Sequence, residues 1–125
     1  MHTSYAAMSR LPIVLVVDPR VESRVTMWRL LNRSFGILEA ADARGAHEWL
    51  KRRQDIDALV VRKELPDADG GELVNNLAAA WVPAAVRAIV IETPEDVRAA
   101  VVRLTRWFFA RDTSETRTPE TRFVS

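Results

Sequence analysis

The sequence predicts an α/β protein built on a parallel sheet. Short apolar runs rich in β-branched residues alternate with segments whose apolar residues recur at helical spacing. The first run, Ile13–Val17, is continuously apolar, which is typical of a strand buried on both faces of a parallel sheet. Strands that alternate with helices in this way form right-handed βαβ units. At 125 residues, the chain is expected to form one domain.

Three more strands and four helices are predicted along the chain. The further strands are residues 37–40, 58–61 and 88–91. The first helix is predicted to begin with Asp18 as N-cap and Pro19 at the first helical position, and to close at Phe35-Gly36. Its predicted buried face consists of apolar residues at helical spacing: Val21, Val25, Trp28 and Leu31 or Asn32.

The other three helices are each preceded by a residue that can accept hydrogen bonds from the first turn. These N-caps are Asp42, Asp69 and Thr93. The start of the last helix has the clearest sequence signal, because Pro94 suits the first helical position and Asp96 stands three residues after the cap Thr93. The predicted buried faces are Ala43, Ala46 and Leu50, then Leu73, Val74, Leu77 and Trp81 before a stop at Pro83, and finally Val97, Val101, Leu104 and Phe108.

Composition excludes several classes of protein. Hydrophobic residues make up 48% of the chain and charged residues 28%, as in a globular protein. The net charge of +1 argues against nucleic-acid binding that depends on overall positive charge. There is no cysteine, so disulfides and thiol chemistry are excluded. The apolar runs are too short to span a membrane, and a cytoplasmic protein is expected. Residues 1–10 and 111–125 are predicted to be disordered around a domain of residues 11–110.

Several short motifs, taken in order, resemble those of response-regulator receiver domains, the CheY-like family. The resemblance covers residues 11–109. It rests on Val16-Val17-Asp18, Glu39-Ala40-Ala41-Asp42, Leu65-Pro66, Asp69-Gly70 and Ile91-Glu92-Thr93. It implies a flavodoxin-like fold, with helices on both faces of a parallel sheet.

The resemblance fails at the residues that carry the family's chemistry. In that family an aspartate four residues before the loop proline accepts a phosphoryl group, and neighbouring carboxylates hold Mg²⁺. Here that position is Arg62, and Pro19 replaces the second acid after the first strand. The resemblance therefore implies a degenerate phosphoacceptor pocket of Asp18, Pro19, Arg62 and Thr93, without metal, cofactor or enzymatic activity. Thr93 is expected to act as a helix cap rather than as a surviving switch residue.

Asp18 and Arg62 are expected to form an ion pair in this pocket. They follow the first and third strands, which are neighbours in a flavodoxin-like sheet. Neighbouring strands lie about 4.8 Å apart, so the guanidinium can meet the carboxylate. Alternatively, Arg62 points to solvent from the end of its strand.

A second departure from the family is architectural. A receiver has five βα units, and four are clearly present here. One interpretation is that the helix starting at Pro94 is the family's last, so that a strand and a helix have been lost before it. The alternative makes residues 107–111 a fifth strand, with Arg111 near the place of a family lysine. The unbroken helical stripe through Phe108 favours the first interpretation.

The leading functional hypothesis is an atypical receiver in two-component-type signalling that binds a protein partner without being phosphorylated. Trp107, Phe108 and Phe109 are the candidate surface for the partner or a homodimer, or else they fill the gap left by the missing unit. No direct nucleic-acid or membrane contact is expected. Two alternatives stay open: a displaced acid accepts a phosphoryl group with Mg²⁺, or the chain is a structural or dimerisation domain of a larger regulator. The candidate displaced acids are Asp57, Glu64, Asp67 and Asp69.

Overall fold

Strands and helices alternate along the chain as the sequence predicts. The structure, a computed structural model, describes residues 10–80 and 87–109. Within these ranges the elements are β1 Ile13–Val17, α1 Val21–Leu31, β2 Gly36–Ala40, α2 Ala43–Arg52, β3 Ile56–Arg62, α3 Gly70–Ala80, β4 Arg87–Ile91 and α4 Pro94–Phe108. The tails predicted to be disordered, apart from Arg10, and the predicted helix residue Trp81 and stop at Pro83 lie outside the described residues.

The strands form one parallel sheet in the order β2-β1-β3-β4. The two central strands are in register at their carboxyl ends, where Val17 pairs with Val61. The next pair along β3 and β4 is Arg62 with Ile91. Residues that follow β1, β3 and β4 therefore converge at the carboxyl ends of the strands, which is where flavodoxin-like folds place their sites.

Two apolar cores cover the two faces of the sheet. Helices α1 and α4 pack on one face, and helices α2 and α3 pack on the other. Residues of β1 alternate between the cores, with Val14 and Val16 in the first and Leu15 and Val17 in the second. Burial on both faces explains why the strand sequences are continuously apolar.

The position of α4 decides between the two interpretations of the last helix. It runs unbroken through Trp107 and Phe108, and it packs beside α1 against the same core. The interpretation of a fifth strand is therefore wrong for these two residues, and Arg111 lies outside the described residues. After β4 the chain continues directly into α4, which lies on the same face of the sheet as α1. This arrangement fits the loss of one strand and one helix before α4.

The predicted buried face of α1 is correct at Leu31 and wrong at its other positions. Val21, Val25 and Trp28 are 60%, 41% and 48% exposed, whereas Leu31 and Met27, which was not predicted, are buried. The helix also ends at Leu31, before the Phe35-Gly36 stop that the sequence suggested. Both apolar sets recur at helical spacing, so periodicity alone could not choose between them.

The predicted caps of the other helices are confirmed. The carboxylate of Asp42 accepts from the N–H of Gly45 at 2.8 Å, and that of Asp69 accepts from the N–H of Gly71 at 2.8 Å. Thr93 is the N-cap of α4. The buried residues agree with the predicted faces: Ala43, Ala46 and Leu50 in α2, Leu73 and Leu77 in α3, and Val97 and Leu104 in α4, with Val74, Val101 and Phe108 partly buried.

Gly70 allows the loop after β3 to return to the strand end. Its N–H donates to the carbonyl of Lys63 at 2.6 Å. A Cβ at this position would collide with the carbonyl oxygen of Arg62, so only glycine fits without a backbone shift. This close approach fixes the start of α3 behind the strand end that carries Arg62.

Candidate functional site

Asp18 and Arg62 form a buried ion pair at the carboxyl ends of the two central strands. Nη2 of Arg62 donates to Oδ2 of Asp18 at 2.9 Å. Asp18 is 0% exposed and Arg62 is 4% exposed. The predicted contact is therefore present, and the alternative in which Arg62 points to solvent is wrong.

Arg62 connects its strand to three other elements. The same Nη2 also donates to Oγ of Ser23 on α1 at 3.0 Å, and Nη1 donates to the backbone carbonyl of Glu92 after β4 at 3.1 Å. Together with Asp18 after β1, these contacts join the ends of three strands and the first turn of α1. Nε of Arg62 is buried without a hydrogen-bond partner in the described part of the chain.

Asp18 does not cap α1 as predicted. The helix begins at Val21, and its N-cap is Arg20. Oδ1 of Asp18 accepts instead from the N–H of Arg20 at 2.9 Å, so both carboxylate oxygens are engaged. Nη1 of Arg24 donates to the Asp18 carbonyl at 2.6 Å, and its Nε bonds Glu39 at 3.0 Å. These contacts delay the helix start by two residues and fix the rotation of α1.

The residues of this pocket do not fit a Mg²⁺ site. Magnesium in proteins is held by oxygen ligands, mainly carboxylates. The carboxylate of Asp18 already bonds a guanidinium and a backbone N–H, and Pro19 offers no side-chain oxygen. A fixed cation 2.9 Å from the carboxylate also repels a divalent ion. Among residues 10–80 and 87–109, no three acidic or histidine side chains cluster as metal ligands would.

A polar cleft of about 150 Å³ opens above the ion pair. It is lined by Arg20, Arg62, Lys63, Glu64 and Glu92. Lys63 bonds Asp69 through Nζ at 3.0 Å, and this contact raises the pKa of the lysine. Cations and acids therefore both line the cleft, and it does not present one sign of charge.

The candidate displaced phosphoacceptors are spread over the molecule. Asp57 lies near the amino end of β3, where its carboxylate accepts a hydrogen bond from the N–H of Ile13 at 2.8 Å. It is therefore at the opposite ends of the strands from Asp18. Asp67 accepts from the N–H groups of Ala43 and Arg44 at the start of α2. Asp69 caps α3, and only Glu64 of the four lines the cleft.

Hydrogen bonds to helix starts lower the pKa of three carboxyls. The pKa of Asp67 is lowered chiefly by the N–H of Ala43, and that of Asp69 by Lys63 and then by the N–H of Glu72. The pKa of Asp96 is lowered by hydrogen bonds from the N–H groups of Thr93, at 2.9 Å, and Glu92, at 2.8 Å. The bond from the N–H of Thr93 is the one expected where Thr93 caps the helix.

Acidification is therefore expected to destabilise the protein. These three carboxyls bind a proton less readily in the folded state, so their stabilisation is complete above the ordinary pKa of 3.8 and is lost as the pH falls through their lower folded values. Urea unfolding across this range should show the decline, and Asp67→Asn should make it shallower. A stability that stays flat through this range would contradict the assignment.

The aromatic residues at the end of α4 are only partly available to a partner. Phe35, which is 2% exposed, meets the rings of Phe108 and Phe109 edge to face, with centroids 5.9 and 5.5 Å apart. Trp107 lies under the guanidinium of Arg87 at 5.4 Å. Phe109 remains 42% exposed. The cluster thus fills space beside β4 and also leaves aromatic surface at its rim.

Sequence reasoning missed the groups that complete the site. Ser23 and the Glu92 carbonyl bond Arg62, and Arg24 bonds the Asp18 backbone. The available signal was the pair of polar residues Ser23 and Arg24, which stand at the start of the helix that follows Asp18.

None of the helices within the described ranges has the length and apolar character needed to cross a bilayer.

Comparison with known proteins agrees with this architecture. No protein-family model and no curated protein matches the sequence. Solved structures do match: a CheY-like response regulator receiver domain from Methylobacillus flagellatus has a TM-score of 0.65 at 20% identity and covers 76% of this chain and 97% of its own. The chain has the receiver-domain fold.

Two further receiver domains support the same conclusion. The signal receiver domain of an HD domain-containing protein from Pseudomonas fluorescens has a TM-score of 0.68 at 19% identity, over 87% of this chain and 95% of that one. The receiver domain of the hybrid histidine kinase CckA has a TM-score of 0.60 at 24% identity, over 75% and 96%. The predicted flavodoxin-like α/β/α fold is confirmed, and the described sheet ends at β4.

Proposed function

We propose that this chain is an atypical receiver domain that acts in two-component-type signal transduction by binding another protein, without aspartyl phosphorylation. The observation that carries the proposal is Arg62, buried at the end of β3 and bonded to Asp18 at 2.9 Å. In receiver domains, which the sequence resembles, this position holds the aspartate that accepts the phosphoryl group. A guanidinium has no lone pair available for attack on phosphorus and is protonated at every physiological pH.

The bonds of Arg62 also suggest what replaces the switch. In a two-state receiver, a signal must alter contacts at the carboxyl ends of the strands. Here Arg62 already joins Asp18, Ser23 and the end of β4. Burial makes these charge-assisted bonds costly to break. We infer that the domain holds one arrangement, so that signalling is controlled by the amount of protein or by partner binding.

The aromatic end of α4 is the proposed docking surface. Trp107 and Phe108 are partly buried, and Phe109 is 42% exposed beside them. Interface cores are enriched in such aromatic residues and depleted of charge. A protein partner, or a second copy of the chain, would bury the exposed ring of Phe109 and the rim of Trp107.

The proposal is tested by adding Mg²⁺ and beryllium fluoride, a phosphoryl mimic, to isotope-labelled protein. The amide resonances of Lys63, Thr93 and their neighbours should stay in place, because the carboxylate of Asp18 is already bonded to Arg62 and to the N–H of Arg20. Saturable shifts that converge on this cleft would contradict the proposal. A Phe109→Ala variant serves a separate purpose, since it should weaken partner capture without changing this result.

A further inference from the structure

Strand β4 presents an edge that no strand pairs with in the described part of the chain. On the side of β4 that faces β3, the N–H of Lys63 donates to the carbonyl of Ile91 at 2.8 Å. In a regular parallel ladder, alternate residues turn their backbone groups to the same neighbour. Ile89 and Ile91 therefore bond β3, and the backbone groups of Ala88 and Val90 point outward.

The opposite edge of the sheet, formed by β2, is protected, whereas no hydrogen bond from residues 10–80 or 87–109 covers the outer edge of β4. On β2 the carbonyl of Glu39 accepts from Nε1 of Trp49 at 2.8 Å, and its side chain bonds Arg24 at 3.0 Å. Natural proteins cover or charge edge strands in such ways. Residues 88–91 of β4 are all apolar, contain no proline, and pair with β3 without a bulge, while Val90 is 38% exposed.

We propose that two copies of this chain associate edge to edge through β4, antiparallel about a two-fold axis beside Ile89. In that register, the outward backbone groups of Ala88 in one copy bond those of Val90 in the other. The exposed Val90 side chain then packs on Ala88 of the second copy. This surface is the strand edge rather than the aromatic rim of α4, so the inference goes beyond the proposed function.

Charge complementarity favours a second copy in this orientation. Arg87 is exposed at the amino end of the strand, where its guanidinium also lies over the ring of Trp107. Glu92 and Glu95 are exposed at the carboxyl end of the strand and at the start of α4. Antiparallel pairing brings Arg87 of each copy beside the acids of the other, and it does so twice by symmetry. Parallel pairing would place the two arginines side by side, which costs free energy.

The first test is sedimentation equilibrium of the full chain and two matched variants. Val90→Lys places a charge on the strand edge, and Val102→Lys places the same charge on an exposed valine of α4. The wild type and Val102→Lys should form dimers, and Val90→Lys should weaken dimerisation at least ten-fold. Circular dichroism and thermal unfolding establish that both variants are folded. A wild type that stays monomeric to about 1 mM, or equal dimerisation of the two variants, would overturn the proposal.

Charge reversal provides an independent test of the orientation. Arg87→Glu should weaken the dimer, and combining it with Glu92→Arg and Glu95→Arg should restore it, because each copy again offers opposite charges. Amide exchange of Ala88 and Val90 should slow as the protein concentration rises. Protection that does not depend on concentration would mean that the chain covers its own edge, and would refute the two-copy arrangement.

Discussion

Replacing Arg62 with alanine is expected to lower the free energy of unfolding by about 3–5 kcal/mol, the usual cost of removing one partner of a buried ion pair. The carboxylate of Asp18, which is 0% exposed in the wild type, would lose its bond of 2.9 Å. Ser23 and the carbonyl of Glu92 would lose the same donor. Because domains of this size are stabilised by only about 5–15 kcal/mol, the loss should be large in urea-induced unfolding.

A matched arginine provides the control. Arg52 lies 4.0 Å from Glu48 in an exposed pair on α2, and Arg52→Ala should change stability by about 0.5 kcal/mol or less. The double variant Asp18→Leu/Arg62→Met should recover part of the loss, since it removes the unpaired buried carboxylate but leaves Ser23 and the Glu92 carbonyl without their donor. Equal losses for the two single arginine variants would show that the buried pair has no special role.

Replacing Arg62 with aspartate is expected to make the stability of the protein depend on Mg²⁺. Two carboxylates would then face each other at the ends of β1 and β3, and a divalent cation between them would relieve their repulsion. At a Mg²⁺ concentration roughly ten times the dissociation constant, binding should stabilise the variant by about 1.4 kcal/mol. Thermal unfolding with and without Mg²⁺ measures the effect, and the wild type should show none.

Arg62→Asn is the control for this experiment. Its amide has nearly the shape of the aspartate side chain but carries no charge, so it should be destabilised without gaining a response to Mg²⁺. Adding Pro19→Asp to Arg62→Asp supplies a further oxygen ligand and should strengthen the response. If the wild type responds as strongly as Arg62→Asp, the pocket binds metal in spite of the arginine, and the account of the site is wrong.

The strand positions were predictable because burial on both faces leaves continuous apolar runs. Adjacency of β1 and β3 then brought Asp18 and Arg62 within reach, and their contact follows from the strand spacing. The helix caps at Asp42 and Asp69 were equally local. Each of these features depends on a short stretch of sequence or on one rule of topology.

The rotation of α1 could not be predicted, because that helix carries two apolar stripes. Contacts distant in sequence choose between them: Arg24 bonds Glu39, and Ser23 bonds Arg62. Turning Val21 inward would break both. The aromatic cluster has a similar origin, since Phe35 meets Phe108 and Phe109 across more than half of the chain. Long-range contacts of this kind leave no periodic signal.

The claim that Arg62 has removed the covalent switch is tested most directly by mass. The protein is incubated with Mg²⁺ and a small phosphoryl donor such as acetyl phosphate, and the intact mass is measured under conditions that preserve acyl phosphates. A receiver domain with an intact acceptor serves as the positive control. We expect the mass of the unmodified chain throughout. A gain of one phosphoryl group, mapped to a carboxylate beside the cleft such as Asp18 or Glu64, would contradict the account.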